Sequence, residues 1–356
     1  MANIIYSVNS EGMGHAIRSK VVIDYLSKKH NLFIVSGDGR AKDYLAKHFK
    51  TVYAIPYISL SYKDNELKIR RSVAQNLKKI TELKRVSSKG FRKAMAEIKE
   101  FNPDLVISDA EPFMNFYAIF KKIPIIEINN ISIIERCKLD IPKHNKLNYL
   151  IAKEAIKKAT FGARCYIIPT FFYPKQVKKN TYLVPPVLRK DILNLKPTGK
   201  DNILVYQTSD NHSRLVSTLK KINQKFIVYG FNKAGKSKNV VFRKFNEGQF
   251  FRDFADCKAV ITNGGFTLIT EAIYLKKPIL SIPVKKQFEQ ITNAHYLEKL
   301  GYGEYHKDVN LKRIEKFLYN CDVYAQTLKR YEQKDNKILF NRLDKVIMKL
   351  SKSSRF

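Results

Sequence analysis

Short apolar runs alternate along this chain with longer stretches in which apolar residues recur every three or four positions. The runs "NIIYSV" (3–8), "NLFIVSG" (31–37), "DLVISD" (104–109), "PIIEIN" (124–129) and "CYIIPT" (165–170) are the near-continuous apolar signal of strands buried on both faces. The segments between them carry helical spacing, so the first half predicts a β-α-β rhythm and a parallel sheet. Helix-breaking residues follow: "TYLVPPVLRKD" (181–191) holds paired prolines, and "NLKPTGKDN" adds Pro197 and Gly199. The rhythm then restarts with the strand-like runs "NILVYQ" (202–207), "KFIVYG" (225–230), "NVVFRKF" (239–245), "AVITNGG" (259–265) and "PILSIPV" (278–284). "TLITEAIYLK" and "FEQITNAHYLEKLG" read as helices, the second stopped by Gly301. From about 310 to 352 the pattern is again helical, with Ile338, Leu339, Leu343, Val346, Ile347 and Leu350 placed to face a core.

These elements predict an α/β protein made of two doubly wound, Rossmann-like domains facing across a cleft. The expected division is an N-terminal domain over 1–186, a second domain over 187–325, and a terminal helix over 326–356 that packs back on the first domain. A chain of 356 residues is long enough for two such cores. Ligands in these sheets sit beyond the carboxyl ends of the strands, where strand order reverses, so the expected site lies between the halves.

Charge changes this picture most. Lys and Arg number 66 against 32 Asp and Glu, a net charge of +34. The stretches 68–99 and 153–200 each hold eleven basic and two acidic residues. Such an excess favours anionic partners: nucleic acid, anionic headgroups or phosphorylated substrates. Within 69–99 an apolar stripe (Ile69, Val73, Leu77, Ile80, Leu83, Phe91, Met95, Ile98) backs a basic face. We read it as a helix packed on the first sheet with a basic exterior turned to an anionic membrane surface. No apolar run reaches the roughly 20 residues of a spanning helix. The start lacks a secretory pattern, and four scattered cysteines without a CxxC pair suit reduced thiols. The expected location is therefore cytoplasmic, at most peripheral on the inner face of the cell membrane.

Three stretches carry candidate chemistry. In "VNSEGMGHAIRS" (8–19) a strand becomes a helix, but neither a third glycine nor a terminal Gly-Lys-Ser/Thr is present, so it fits neither a dinucleotide fingerprint nor a Walker loop. Gly12 and Gly14 let a substrate approach the backbone, and His15 would project over the strand's carboxyl edge, where it could take a proton from a hydroxyl. A plain turn with a surface histidine is the competing reading. In "SDAEP" (108–112), Asp109 and Glu111 reach the same sheet edge. Asp109 would either cap the next helix, with Glu111 in its first turn, or orient and charge His15. The third stretch is the most specific: "AVITNGGFTLITEAIYLKKPILSIPVKKQFEQITNAHYLEKLGYG" (259–303). Gly264 and Gly265 open a helix near Phe266 or Thr267, so that successive N–H groups and the helix dipole can meet a diphosphate. Glu271, a turn into that helix, suits a pair of ribose hydroxyls. Gln287, Glu289 and Gln290 suit a sugar ring, whose hydroxyls both donate and accept.

The ordered series in 259–303 resembles the nucleotide-sugar site of GT-B-fold glycosyltransferases, in the group of the peptidoglycan N-acetylglucosaminyltransferase and diacylglycerol glycosyltransferases. "EGMGHAIRS" resembles that group's glycine-rich loop, and "GxGHxxR" with "SDxEP" resembles an uncharacterised archaeal and bacterial subfamily. The resemblance implies a metal-independent, inverting hexosyltransferase without a cofactor, taking a nucleoside-diphosphate sugar, UDP-linked, as donor. Gly264, Gly265, Phe266 and Thr267 would bind the diphosphate, Glu271 the ribose, and Glu289 with Gln290 the sugar hydroxyls. His15 would be the general base with Asp109 its acidic partner, and Lys285 or Lys286 would meet charge on the leaving group. The hydroxyl acceptor would be lipid-linked or a surface polysaccharide precursor. Two departures stand out: the second half's first loop, "YQTSDNHS", is not glycine-rich, and Glu289 replaces a glutamine, which leaves the sugar open. A UDP-sugar 2-epimerase of the same fold and a basic nucleic-acid-binding protein are the alternatives. No RNA-binding motif is present, so no nucleic acid is expected as partner.

Overall fold

The computed structural model describes residues 1–55, 62–63, 66–67, 89–207 and 213–353. The fold is α/β, with two parallel-sheet, Rossmann-like units. The first unit contains β1 (Asn3–Val8), β2 (Asn31–Gly37) and β3 (Tyr53–Ile55). A short antiparallel hairpin, β4 (Tyr62–Lys63) with β5 (Glu66–Leu67), stands apart from both large sheets. The first sheet continues with β6 (Leu105–Asp109), β7 (Ile125–Ile128), β8 (Cys165–Pro169) and β9 (Thr181–Val184), in the order β3-β2-β1-β6-β7-β8-β9. All its pairings are parallel. Order reverses between β1 and β6, which places the loops after these two strands at the switch point.

Strand alternation explains why both faces are covered. Ile4, Tyr6 and Val8 of β1 join one core cluster, whereas Ile5 enters another with Phe33, Val106 and Met114. The first cluster also takes Leu339, Leu343, Val346, Ile347 and Leu350 from the closing helix Lys337–Ser353, so the chain from Asp335 onward belongs to the first unit. Each such aliphatic side chain contributes about 1.5–3 kcal/mol on full burial. Ile338, expected to face a core, is instead 62% exposed. It lies about a quarter turn off the stripe set by Leu339 and Leu343. The segment 310–352, expected to be helical, holds three helices, Leu311–Tyr319, Cys321–Lys329 and Lys337–Ser353.

The second unit, Lys190–Lys334 together with the hairpin segment Tyr62–Leu67, has in its sheet β10 (Asn202–Tyr206), β11 (Lys225–Tyr229), β12 (Gly235–Ser237), β13 (Val240–Phe242), β14 (Ala259–Thr262), β15 (Ile279–Ser281) and β16 (Gly303–Tyr305). Their order is β12-β13-β11-β10-β14-β15-β16, with only β12 antiparallel. Its switch point lies between β10 and β14. Of the basic stripe at 69–99, only the helix Lys89–Phe101 lies within the described residues, and in it Ile98 is buried. The loop after Gln207 also lies outside them.

Candidate active site

At the first switch point, β1 ends at Val8 and the helix Met13–Leu26 begins after Gly12, whose φ of 85° is open to glycine and strained for other residues. Asn9 shapes the loop: its side chain accepts from Glu11 N at 2.8 Å and donates to Ala110 O at 2.8 Å. Gly14 and His15 fall in the first turn of that helix. The His15 Nδ1 lies 2.8 Å from Asp109 Oδ1, and Ser19 Oγ donates to Asp109 Oδ2 at 3.2 Å. Arg18 Nη2 approaches the same carboxylate oxygen as His15, at 3.6 Å. Burial would raise the Asp109 pKa, but the charges of His15 and Arg18 outweigh it and hold the carboxyl below its ordinary value. An ionised Asp109 accepts a hydrogen bond from Nδ1–H, so the lone pair of the ring, whenever it carries a single proton, lies on Nε2. This pair can accept a proton from a hydroxyl and stabilise the resulting imidazolium. His15 keeps 9% exposure, whereas Asp109 is enclosed at 1%.

Glu111 has a different place. It is the N-cap of the helix Pro112–Phe120, its carboxylate accepting from Phe113 N at 3.0 Å and Met114 N at 2.7 Å. The cap thus falls to Glu111 rather than Asp109, whose carboxylate is engaged by His15 and Ser19, and the intervening Ala110 takes a left-handed φ of 52°. Burial pushes the Glu111 carboxyl up to about 7, with the two cap N–H groups acting against it.

Glu127, Arg18 and Ser19 are parts of this site that sequence reasoning missed. Glu127 Oε2 accepts from Ala110 N at 3.1 Å and Asn129 Nδ2 at 2.6 Å, while Oε1 accepts from Asn115 Nδ2 at 2.6 Å. It therefore pins the strained turn that carries Asp109. Its signal was a lone acid inside the apolar run "PIIEIN". Burial raises Glu127 to about 8. The folded state thus holds a proton that the unfolded chain, titrating near 4.5, releases. Stability from this group is full below pH 4.5 and is lost as pH rises toward 8, by about 1.4 kcal/mol for each pH unit crossed. Glu127→Gln fixes the neutral form, so thermal melts between pH 5 and 8 are expected to show a flatter decline than the native protein. The same slope in both proteins would remove Glu127 as its source.

At the second switch point, β14 runs into Asn263–Gly265 and the nine-residue helix Phe266–Tyr274. The two glycines differ in kind. A Cβ on Gly264 would lie 2.8 Å from both Cβ and O of Gln290, so the loop and the helix Phe288–Lys299 meet only because that side chain is missing. A Cβ on Gly265 would meet nothing within 4 Å, and its φ of −64° suits any residue. Neither packing nor φ demands glycine there, although glycine is among the residues favoured at an N-cap. Asn293 Nδ2 holds Gly264 O at 3.0 Å.

Around this loop, Phe266 and Thr267 form the first helical positions, and Glu271 is buried at 1% in the next turn. Gln290 Oε1 accepts from Val284 N at 2.9 Å, tying the loop after β15 to the glycine pair. Gln287 is the N-cap of its helix and Glu289 lies in the first turn, where an acid suits the dipole. Lys285 is exposed and pairs with Asp308 at 3.5 Å, and Lys286 is exposed at a φ of 65°. Among the described residues, no group of three His, Cys, Asp or Glu is placed to hold a metal ion, and no helix is long and apolar enough to cross a membrane.

Two Rossmann-like sheets, parallel but for β12, have the architecture of a GT-B glycosyltransferase, and comparison with known proteins assigns that class. A sequence model described as "Glycosyl transferase family 1" matches residues 2–322, and the chain belongs to that family. It is 26% identical over 329 residues to an uncharacterized glycosyltransferase of Methanosarcina acetivorans, covering 84% of each chain. A shorter match of 35% over 85 residues, 21% of this chain and 24% of the other, joins it to a Bacillus thuringiensis UDP-N-acetylglucosamine–N-acetylmuramyl-(pentapeptide) pyrophosphoryl-undecaprenol N-acetylglucosamine transferase. In fold it is similar to a UDP-glucosyltransferase from Polygonum tinctorium, with a TM-score of 0.63, 14% identity and 98% of each chain covered.

Proposed function

We propose that this glycosyltransferase moves a hexosyl group from a UDP-linked sugar to the hydroxyl of a lipid-linked acceptor, with inversion at the anomeric carbon. The observation that carries the donor reading is the helix start at Gly265: an N-cap without a side chain just beyond β14, with nothing within 4 Å of where a Cβ would stand. In the reaction, the acceptor hydroxyl gives its proton to His15 Nε2 as its oxygen bonds to the anomeric carbon. The bond from that carbon to the phosphate oxygen breaks, and the nucleoside diphosphate leaves with the electron pair. Single displacement inverts the centre. The N–H groups at Gly265–Thr267 and the helix dipole meet the negative charge that develops on the diphosphate. Glu271 holds the ribose hydroxyls, and Glu289 with Gln290 reads the sugar. Partial likeness to a UDP-N-acetylglucosamine transferase acting on an undecaprenol-linked substrate supports both the nucleotide and the lipid.

Calorimetric titration tests the donor assignment. A hydrogen bond to a charged group contributes about 1.5–3 kcal/mol, so Glu271→Gln is expected to weaken UDP binding about tenfold. It should weaken 2′-deoxy-UDP, which lacks one of the paired hydroxyls, much less. Equal losses for both ligands would take Glu271 off the ribose.

A further inference from the structure

The closing helix Lys337–Ser353 has a second face that its core stripe does not use. Ile338, Asn341, Arg342 and Lys345 follow one another at helical spacing and border β9, the edge strand of the first sheet. Together with Gln176 and Thr181–Val184 they line a groove of about 440 Å³ that lies within the first unit.

The strand edge in this groove carries open backbone. Tyr166 N donates to Asn180 O at 2.9 Å and Thr170 N to Val184 O at 2.8 Å, so the even-numbered residues turn their polar groups toward β8. Successive residues of a strand point these groups to opposite edges, which leaves the N–H and C=O of Thr181 and Leu183 on the side where the sheet ends. The side chains sort themselves accordingly. Val184 is buried with Leu339 and Leu343, and the Arg342 guanidinium lies over the Tyr182 ring at 4.3 Å from its centroid. Arg342 and Lys345 are the charged residues of the lining, and no acid is among the nine. Lys175 and Lys179, both exposed, flank Gln176 and the start of β9.

We propose that this groove takes an extended acidic peptide segment of a partner protein, which adds to the first sheet as a further strand beside β9. Its main chain would exchange hydrogen bonds with Thr181 and Leu183, and every second side chain would face the helix, an apolar one on Ile338 and carboxylates on Arg342 and Lys345. The lengths agree: from Ile338 to Lys345 the helix rises about 10 Å, the span of three strand residues. Proteins blunt an open edge with charge, proline and short strands. Ile338 does the opposite, setting a bare apolar side chain beside the open backbone. Charge decides against a second copy as occupant, because symmetric pairing of two β9 edges would bring both sets of cations together. The groove belongs to neither switch point, so this inference stands apart from the donor and acceptor readings.

The test is fluorescence anisotropy on the full-length protein with a labelled, end-blocked Glu-Val-Glu-Val-Glu-Val peptide. Saturable binding that weakens with salt is expected, and Arg342→Glu/Lys345→Glu should weaken it at least about tenfold. Two N-methylated peptides, one modified at the three Glu residues and one at the three Val residues, examine the native protein directly. Their missing N–H groups lie on opposite edges of the strand, so one is expected to lose binding and the other to keep it. Equal binding by both would overturn the proposal, since the peptide would then be a mere anion on a basic surface. Absence of saturable binding would overturn it as well. So would a native dimer that Ile338→Glu turns into a monomer, because the edge would then be covered by a second copy.

Discussion

His15→Ala is expected to lower turnover about a hundred- to ten-thousandfold, the usual contribution of a positioned general base, while UDP affinity stays as it was. The split follows from the site: His15 belongs to the first unit with Asp109, and the glycine loop that we assign to the donor belongs to the second. Asp109→Asn should produce a loss of similar size with His15 still in place. An amide can turn its N–H toward Nδ1 and favour the tautomer with the proton on Nε2, the wrong nitrogen for accepting a proton. Single-turnover measurements on both variants check this. Native turnover in His15→Ala would reduce the pair to a structural contact. A fall in UDP binding that matched the fall in rate would place His15 on the donor.

The second large effect separates the two glycines. Gly264→Ala should destabilise the protein by about 1–3 kcal/mol, the range for overpacking a close contact, because the new Cβ would press against Gln290 Cβ and O at 2.8 Å. Gly265→Ala has open space and an ordinary φ but replaces an N-cap glycine, so its stability should fall by no more than about 1 kcal/mol. Its UDP affinity should nevertheless fall about tenfold, the equivalent of one charged hydrogen bond of about 1.5 kcal/mol, since the methyl occupies the approach to the helix start. Thermal unfolding read together with calorimetry shows the contrast. If Gly265→Ala bound UDP like the native protein, the diphosphate would lie elsewhere.

Much of the architecture was legible because buried parallel strands are written as unbroken apolar runs. "NIIYSV" and "NLFIVSG" coincide with β1 and β2, and the other expected runs fall within three residues of their strands. Short strands were legible only where an expected apolar run framed them: β13 and β15, three residues each, lie inside "NVVFRKF" and "PILSIPV", whereas β3, β12 and β16 emerged only in three dimensions. "TYLV" was read as the approach to a proline break, yet it forms β9, which ends just before Pro185. The proximity of His15 and Asp109, 94 residues apart, followed from both standing at the carboxyl edge of neighbouring strands. The cap did not follow, because "SDAEP" offers two acids and does not announce which carboxylate His15 and Ser19 engage. Helical spacing also cannot tell an inward stripe from an outward one, which is why Ile338 was expected in a core.

Product analysis by mass spectrometry tests the proposed transfer most directly. The purified protein is incubated with a panel of nucleoside-diphosphate sugars and a membrane lipid extract, and both lipid and nucleotide fractions are measured. The expected result is a lipid that gains the mass of one glycosyl residue as an equal amount of UDP appears, with His15→Ala abolishing both. Conversion of a UDP-sugar into its epimer without any acceptor, or no consumption of any donor in the panel, would contradict it.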